Sequence, residues 1–190
     1  MTSTESSVVI LSCSLNPTSR SHKLAQAAQS FLRDRRVPVE LVDLAEHDLP
    51  LCGGEGSFDH PSVKTLTGII ESAGAILVSS PVYNYDLNAA AKNVMELTGS
   101  GWTEKPVGFL CAAGGRSSYM SPIGFANSLM FDFRCLIIPR FVYCTKTDFT
   151  ESGELGPEIA TRVEQLAAAA VDLARAFAWV RANGVGDQTR

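Results

Sequence analysis

Val8-Val9-Ile10-Leu11-Ser12-Cys13-Ser14-Leu15-Asn16-Pro17-Thr18-Ser19-Arg20-Ser21-His22 decides how the rest of this chain is read. Its first four residues are apolar and mostly β-branched, without polar alternation, the pattern of a strand covered on both faces. A hydroxyl-rich stretch then runs to Arg20. Beyond it Leu24, Ala28, Phe31 and Leu32 recur at helical spacing toward Arg33, Arg35 and Arg36, cations that suit a helix C-terminus. Strand, polar loop and helix make the first half of a crossover, the connection that parallel strands require.

The same alternation continues outward. A second strand is predicted over residues 38–42, and an irregular stretch follows over 45–59. Pro61 suits the first position of a helix carrying Val63, Leu66, Ile69 and Ile70, with Gly74 at its end. Residues 75–79 read as the third strand, 88–97 as a helix closed by Gly99, and 107–111 as the fourth strand, followed by Gly114 and Gly115. Ser121-Pro122 opens a helix expected to turn Ile123, Ala126, Leu129, Met130 and Phe133 inward. A fifth strand spans 136–143, interrupted or placed at a sheet edge by Pro139. Pro157 opens the last helix, with Ile159, Val163, Leu166, Ala170, Leu173 and Phe177 in one stripe that runs to about residues 183–184. The expected fold is α/β: a flavodoxin-like three-layer sandwich, its five-stranded parallel sheet in the order 2-1-3-4-5 with helices on both faces. It is expected to be one domain over residues 1–190 with a core at about 8–182.

Bulk properties exclude several functions. At 190 residues, 45% hydrophobic and 19% charged, the chain suits one compact core. A net charge of −4 with scattered Lys and Arg gives no basic face for nucleic acid. No segment is apolar for long enough to cross a bilayer, and polar residues 1–7 read as a frayed end without a signal peptide. Cys13, Cys52, Cys111, Cys135 and Cys144 contain no C-x-x-C pair, which favours a reduced, cytoplasmic protein. His22, His47 and His60 lack metal-ligand spacing, so they are read as ordinary surface or loop residues and no metal site is expected.

In an open α/β sheet, ligands bind beyond the carboxyl ends of the strands, near the point where strand order reverses. The loops after strands one, three and four therefore carry the function. In the first, Ser14, Asn16, Ser19 and Ser21 lead into a helix N-terminus, where free N–H groups favour an anion. It reads either as a phosphate cradle or as a polar turn with a cap. It has neither the glycine pattern of a dinucleotide fold nor the Gly-Lys of a triphosphate loop. In the second, Pro81 fixes the backbone before Val82, Tyr83 and Asn84, leaving amides and an aromatic wall for a flat heterocycle. In the third, Ala113, Gly114 and Gly115 allow close backbone approach, or form a plain turn.

These segments together resemble the NADPH-dependent FMN reductase family. Residues 13–21 are similar to its G-S-x-R-x-x-S-x-N loop, with Ser14 and Ser19 matching. Cys13, Asn16 and Ser21 replace the first Gly, the Arg and the Asn, leaving Arg20 or backbone amides to supply the missing donor. Pro81-Val82-Tyr83-Asn84 with Lys92-Asn93 resembles P-E-Y-N…P-G-x-L-K-N, Asn88-Ala89 standing for Pro-Gly, and residues 113–115 resemble S-x-G-G. The resemblance implies FMN held by Ser14, Asn16, Ser19, Ser21, Pro81, Val82, Tyr83, Asn84, Ala113, Gly114 and Gly115. It implies hydride supplied by NADPH or NADH and passed on to free flavin, a quinone, an azo compound or a metal oxyanion. No catalytic acid or base is assigned. Homodimers or homotetramers are implied, with Trp102, Tyr85 and Phe125 either walling the pocket or packing in the core. Two other functions compete. A hydrolase would use Ser12, Ser14 or Cys111, for which the sequence offers no evident His–Asp pair. A non-enzymatic FMN electron carrier would share the fold.

Overall fold

The computed structural model describes residues 7–184; of the frayed end expected over residues 1–7, residues 1–6 lie outside them. The strands are β1 (Val8–Ser12), β2 (Val39–Asp43), β3 (Ala75–Tyr83), β4 (Asp86–Leu87), β5 (Pro106–Ala112), β6 (Leu136–Ile137) and β7 (Val142–Cys144). The helices are α1 (Arg20–Asp34), α2 (Pro61–Ser72), α3 (Ala89–Thr98), α4 (Pro122–Phe133) and α5 (Pro157–Asn183). The sheet order is β2-β1-β3-β5-β6, with β7 also on β5 and β4 returning on β3. All pairs are parallel except β3 with β4. The five-stranded flavodoxin-like order is therefore observed, with a short hairpin added.

Pro139 splits the fifth strand as expected. Its two halves pair separately with the start and end of β5, Leu136–Ile137 against Pro106–Val107 and Val142–Cys144 against Leu110–Ala112. β1 is buried at every position, as its unalternating apolar run requires. Its side chains divide the core: Val9 and Leu11 pack with α2, α3 and α4, whereas Val8 and Ile10 pack with α1 and α5. Gly108 of β5 lets α5 sit close, since a Cβ there would lie 2.8 Å from Leu166 Cδ1 and 2.9 Å from Leu77 Cδ2.

Two expectations change. β3 runs four residues past the predicted end at Ser79, into the Pro81–Tyr83 segment. On α4, Ile123 and Met130 are exposed, and the buried face is Pro122, Phe125, Ala126 and Leu129. Residues 123–133 are apolar on more than one side, so periodicity alone fits two rotations. Packing selects the one that brings Phe125 edge-on to Trp102 and Phe109, with ring centroids 6.5 and 6.0 Å away. Among the described residues no helix is long and apolar enough to cross a membrane.

Candidate functional site

Three loops leave the carboxyl ends of the adjacent strands β1, β3 and β5, and chain order reverses between β1 and β3. After β1, the Cys13 N–H donates to Ser79 O at 2.8 Å, which keeps the loop against β3. Ser14 is buried and its hydroxyl accepts the Asn16 N–H at 3.2 Å. Asn16 is exposed, and its Oδ1 takes the Thr18 N–H and hydroxyl at 3.0 and 2.9 Å, so it folds back on its own loop. Ser19 caps α1 by accepting the His22 N–H at 3.0 Å, and the Ser21 hydroxyl lies 3.2 Å from it. Ser19 and the fully buried Ser21 thus stand together where α1 begins, Ser14 bonds to Asn16 within the loop, and the Asn16 side chain turns to Thr18.

Arg20, the first residue of α1, leaves Nη1 buried without a hydrogen-bond partner among the described residues. Its charge also acts on Cys144 at the end of β7. Burial and Asp148 push that thiol up to about 12, with Arg20 pulling the other way. The guanidinium therefore carries an unmet donor close to the strand ends.

The second loop is a hairpin. Val82 pairs with Leu87 and Tyr83 with Asp86, and Asn84 and Tyr85 form the corner with φ of 51° and 64°. Two left-handed corner residues define a type I′ turn, which usually takes Asn or Gly, so Tyr85 is held there at a cost of about 1–3 kcal/mol. Pro81 and Val82 are buried, whereas Tyr83 and Tyr85 are 59% and 68% exposed.

Asn88, the N-cap of α3, joins this hairpin to the first loop. Its Nδ2 donates to Cys13 O at 2.6 Å, and its Oδ1 accepts from the Ser80 hydroxyl at 3.0 Å and the Ala91 N–H at 3.2 Å. The sequence marked Asn88 only as a helix start. A buried Asn where the resembling motif carries Pro was the available signal. Asn93, the last residue of that motif, ties the irregular stretch to α3 by accepting the Cys52 N–H and donating to Pro50 O.

In the third loop the Ala113 N–H donates to Cys144 O at 2.8 Å. Gly114 and Gly115 have no positive φ, and an added Cβ at either would meet nothing within 4 Å. Neither backbone conformation nor packing among the described residues demands glycine here. The following turn is tied down by the Tyr143 hydroxyl on Gly115 O, by Tyr85 Oη to Ser117 Oγ at 3.2 Å, and by Arg116 Nη2 to Asp148 Oδ1 at 2.9 Å. Burial would raise the Asp148 carboxyl. The Thr145 N–H and hydroxyl, at 2.7 and 2.9 Å, together with Arg116, hold it below the usual carboxylate range instead.

A His–Asp pair does stand near Ser12, contrary to expectation: His22 Nδ1 lies 2.9 Å from Ser12 Oγ and 3.2 Å from Asp43 Oδ2. Both contacts fall on one nitrogen. A hydrolytic triad needs the carboxylate on one ring nitrogen and the nucleophile on the other, and Ser12 is fully buried. The cluster is therefore structural. Burial also drives the Cys111 thiol far above its ordinary range, which removes it as a nucleophile. His60 likewise has a specific task, its Nδ1 accepting the Ser62 N–H at the start of α2. Trp102 and Phe125 belong to the core, and only Tyr85 of the three wall candidates is exposed. Among the described residues no cluster of three His, Cys, Asp or Glu is placed to hold a metal ion.

A parallel sheet with a serine-capped helix at the strand-order reversal, exposed tyrosines on the next loop and a glycine pair on the third defines a flavodoxin-like nucleotide-binding α/β protein. The sequence profile of the NADPH-dependent FMN reductase family matches residues 6–148, and the chain belongs to that family. It is similar to the NADPH azoreductase of Bacillus sp. strain OY1-2, with 28% identity over 146 residues, covering 76% of this chain and 81% of that protein. It is also similar to the FMN reductase (NADPH) of Pseudomonas putida, with 27% identity over 122 residues, or 63% of this chain and 60% of that one. The fold matches the flavoenzyme NAD(P)H:(acceptor) oxidoreductase FerB of Paracoccus denitrificans with a TM-score of 0.72 and 22% identity, over 90% of this chain and 98% of that chain. The protein is an NAD(P)H-dependent flavin oxidoreductase acting on small-molecule acceptors, with FMN and NAD(P)H as its cofactors.

Proposed function

We propose that one FMN lies across the ends of β1, β3 and β5, its phosphate held by Ser14, Ser19, Ser21 and Arg20, with Asn16 closing the loop beneath it. Its ring would face Pro81, Val82, Tyr83 and Asn84 on one side and Ala113, Gly114 and Gly115 on the other. The observation that carries this reading is the buried Arg20 Nη1, without a partner among the described residues, beside a serine-rich helix N-terminus. An unpaired buried donor costs about 1–3 kcal/mol, and more when charged, a cost that a phosphate dianion removes. The open space at Gly114 and Gly115 independently suits a flat ligand. When bound, FMN supplies the hydride chemistry; this chain's residues bind it, orient it and shield its edge.

The second acceptor we propose is a free flavin, a quinone, an azo compound or a metal oxyanion, small enough to stack where Tyr83 and Tyr85 are exposed. We further propose a homodimer or homotetramer of one-domain subunits. The outer face of α4 supports it: Ile123 and Met130 are exposed and Phe131 is 81% exposed, beside a groove of about 410 Å³ lined also by Lys92 and Asp132. Five free cysteines, four of them buried, support a reducing cytoplasmic setting, and the net negative charge gives nucleic acid no purchase.

The test is to titrate apoprotein with FMN and riboflavin, then add NADPH or NADH anaerobically. FMN should bind far more tightly than riboflavin and bleach on nicotinamide addition. Failure to bind FMN refutes the site. Retained yellow colour that light bleaches and nicotinamide does not would leave an electron carrier.

A further inference from the structure

Tyr143 of β7 is a buried residue outside the three motifs. Its hydroxyl donates to Gly115 O and receives the Ser118 hydroxyl at 2.7 Å, while its ring packs edge-on against Tyr119 with centroids 5.5 Å apart. The other ties on this turn are solvated: Tyr85 is 68% exposed and the Arg116 side chain 75% exposed. Exposed pairs hold geometry weakly, because water competes for both partners, so the buried hydroxyl is the dominant restraint.

The restraint has a direction. In a planar trans peptide, the C=O and the following N–H point opposite ways. Pinning the Gly115 carbonyl inward on Tyr143 turns the Arg116 N–H outward, and no hydrogen bond from that N–H forms among the described residues. With no side chain on Gly114 or Gly115, that face of the loop is open.

Resting on the FMN reading above, we propose that Tyr143 is a positioning residue that aims the Arg116 amide at the polar pyrimidine edge of the flavin. Negative charge gathers on that edge when the ring is reduced, so a fixed N–H there favours reduced over oxidised FMN. Tyr143 thus acts on the cofactor's potential through one peptide, without touching the ring.

Tyr143→Phe removes the hydroxyl and keeps the ring against Tyr119. The measurement is the midpoint potential of protein-bound FMN, with thermal melting in parallel. The expected result is a roughly tenfold loss of affinity for reduced relative to oxidised FMN, a midpoint about 30 mV more negative. Ser118→Ala, which removes the donor into the Tyr143 hydroxyl, should lower that ratio about threefold, and it decides the matter should the phenylalanine variant not fold. An unchanged midpoint in a folded variant, or a positive shift, overturns the proposal. Wild-type apoprotein that binds no FMN overturns the FMN reading itself, and this inference with it.

Discussion

Replacing Asn88 with Ala would remove one amide and uncouple two loops. Three bonds are lost: the Ala91 N–H cap on Oδ1, the Ser80 hydroxyl on Oδ1, and the Nδ2 donation to Cys13 O, while the Asn88 N–H to Ser80 survives. A cap contributes about 1 kcal/mol and each buried neutral hydrogen bond about another, so the loss is about 3 kcal/mol. At about 2–4 °C per kcal/mol for a chain of this size, the melting temperature should fall by about 6–12 °C. Asn88→Asp separates the contributions, since a carboxylate keeps both acceptor roles at a helix N-terminus but sets an oxygen against the Cys13 carbonyl. The aspartate variant should retain more stability than the alanine variant, yet both should bind FMN more weakly, because the carbonyl that follows β1 is released in each. Urea unfolding of the apoprotein and flavin fluorescence titration read the two effects separately. A loss below about 1 kcal/mol in Asn88→Ala, outside the range of three broken buried bonds, would refute the argument.

Arg20→Met tests the unmet guanidinium. FMN affinity should fall about 10- to 100-fold, the worth of a charge-assisted bond, while riboflavin affinity and apoprotein stability hold or improve; an equal loss for both flavins would refute it. Gly108→Ala forces a methyl within 2.9 Å of Leu166 and Leu77, and chemical denaturation should show a loss of about 1–3 kcal/mol. Asp148 has a carboxyl pKa lowered by folding, so its stabilisation is full above the unfolded carboxylate range and disappears as pH falls through the lower folded value. Wild type should therefore exceed Asp148→Asn in stability at neutral pH, and the gap should close with acid in melts across pH 2–7.

Legibility in this sequence followed the range of the interaction. β1, the helix start at Asn88 and the prolines at the starts of α2 and α5 are read from a few neighbouring residues, and the structure agrees. The continuation of β3 through Pro81 was hidden because a proline lacks the ladder donor. Pairing with Ala112 and with the returning β4 decides it, and the corner of that hairpin is Asn-Tyr, without the expected glycine. The rotation of α4 needed Trp102 and Phe109, which lie on other elements. The site divides the same way. Its motif residues stand within short stretches at strand ends, but the bonds that fix the loops against one another join Asn88 to Cys13 across 75 residues, Tyr85 to Ser117 across 32 and Tyr143 to Gly115 across 28. Each is a polar group on an element that a local reading classes as cap, turn or strand. A parallel sheet brings such groups together because its strand ends converge while its chain segments do not, so the residues proposed to hold the flavin are readable locally and the residues that fix their loops are not.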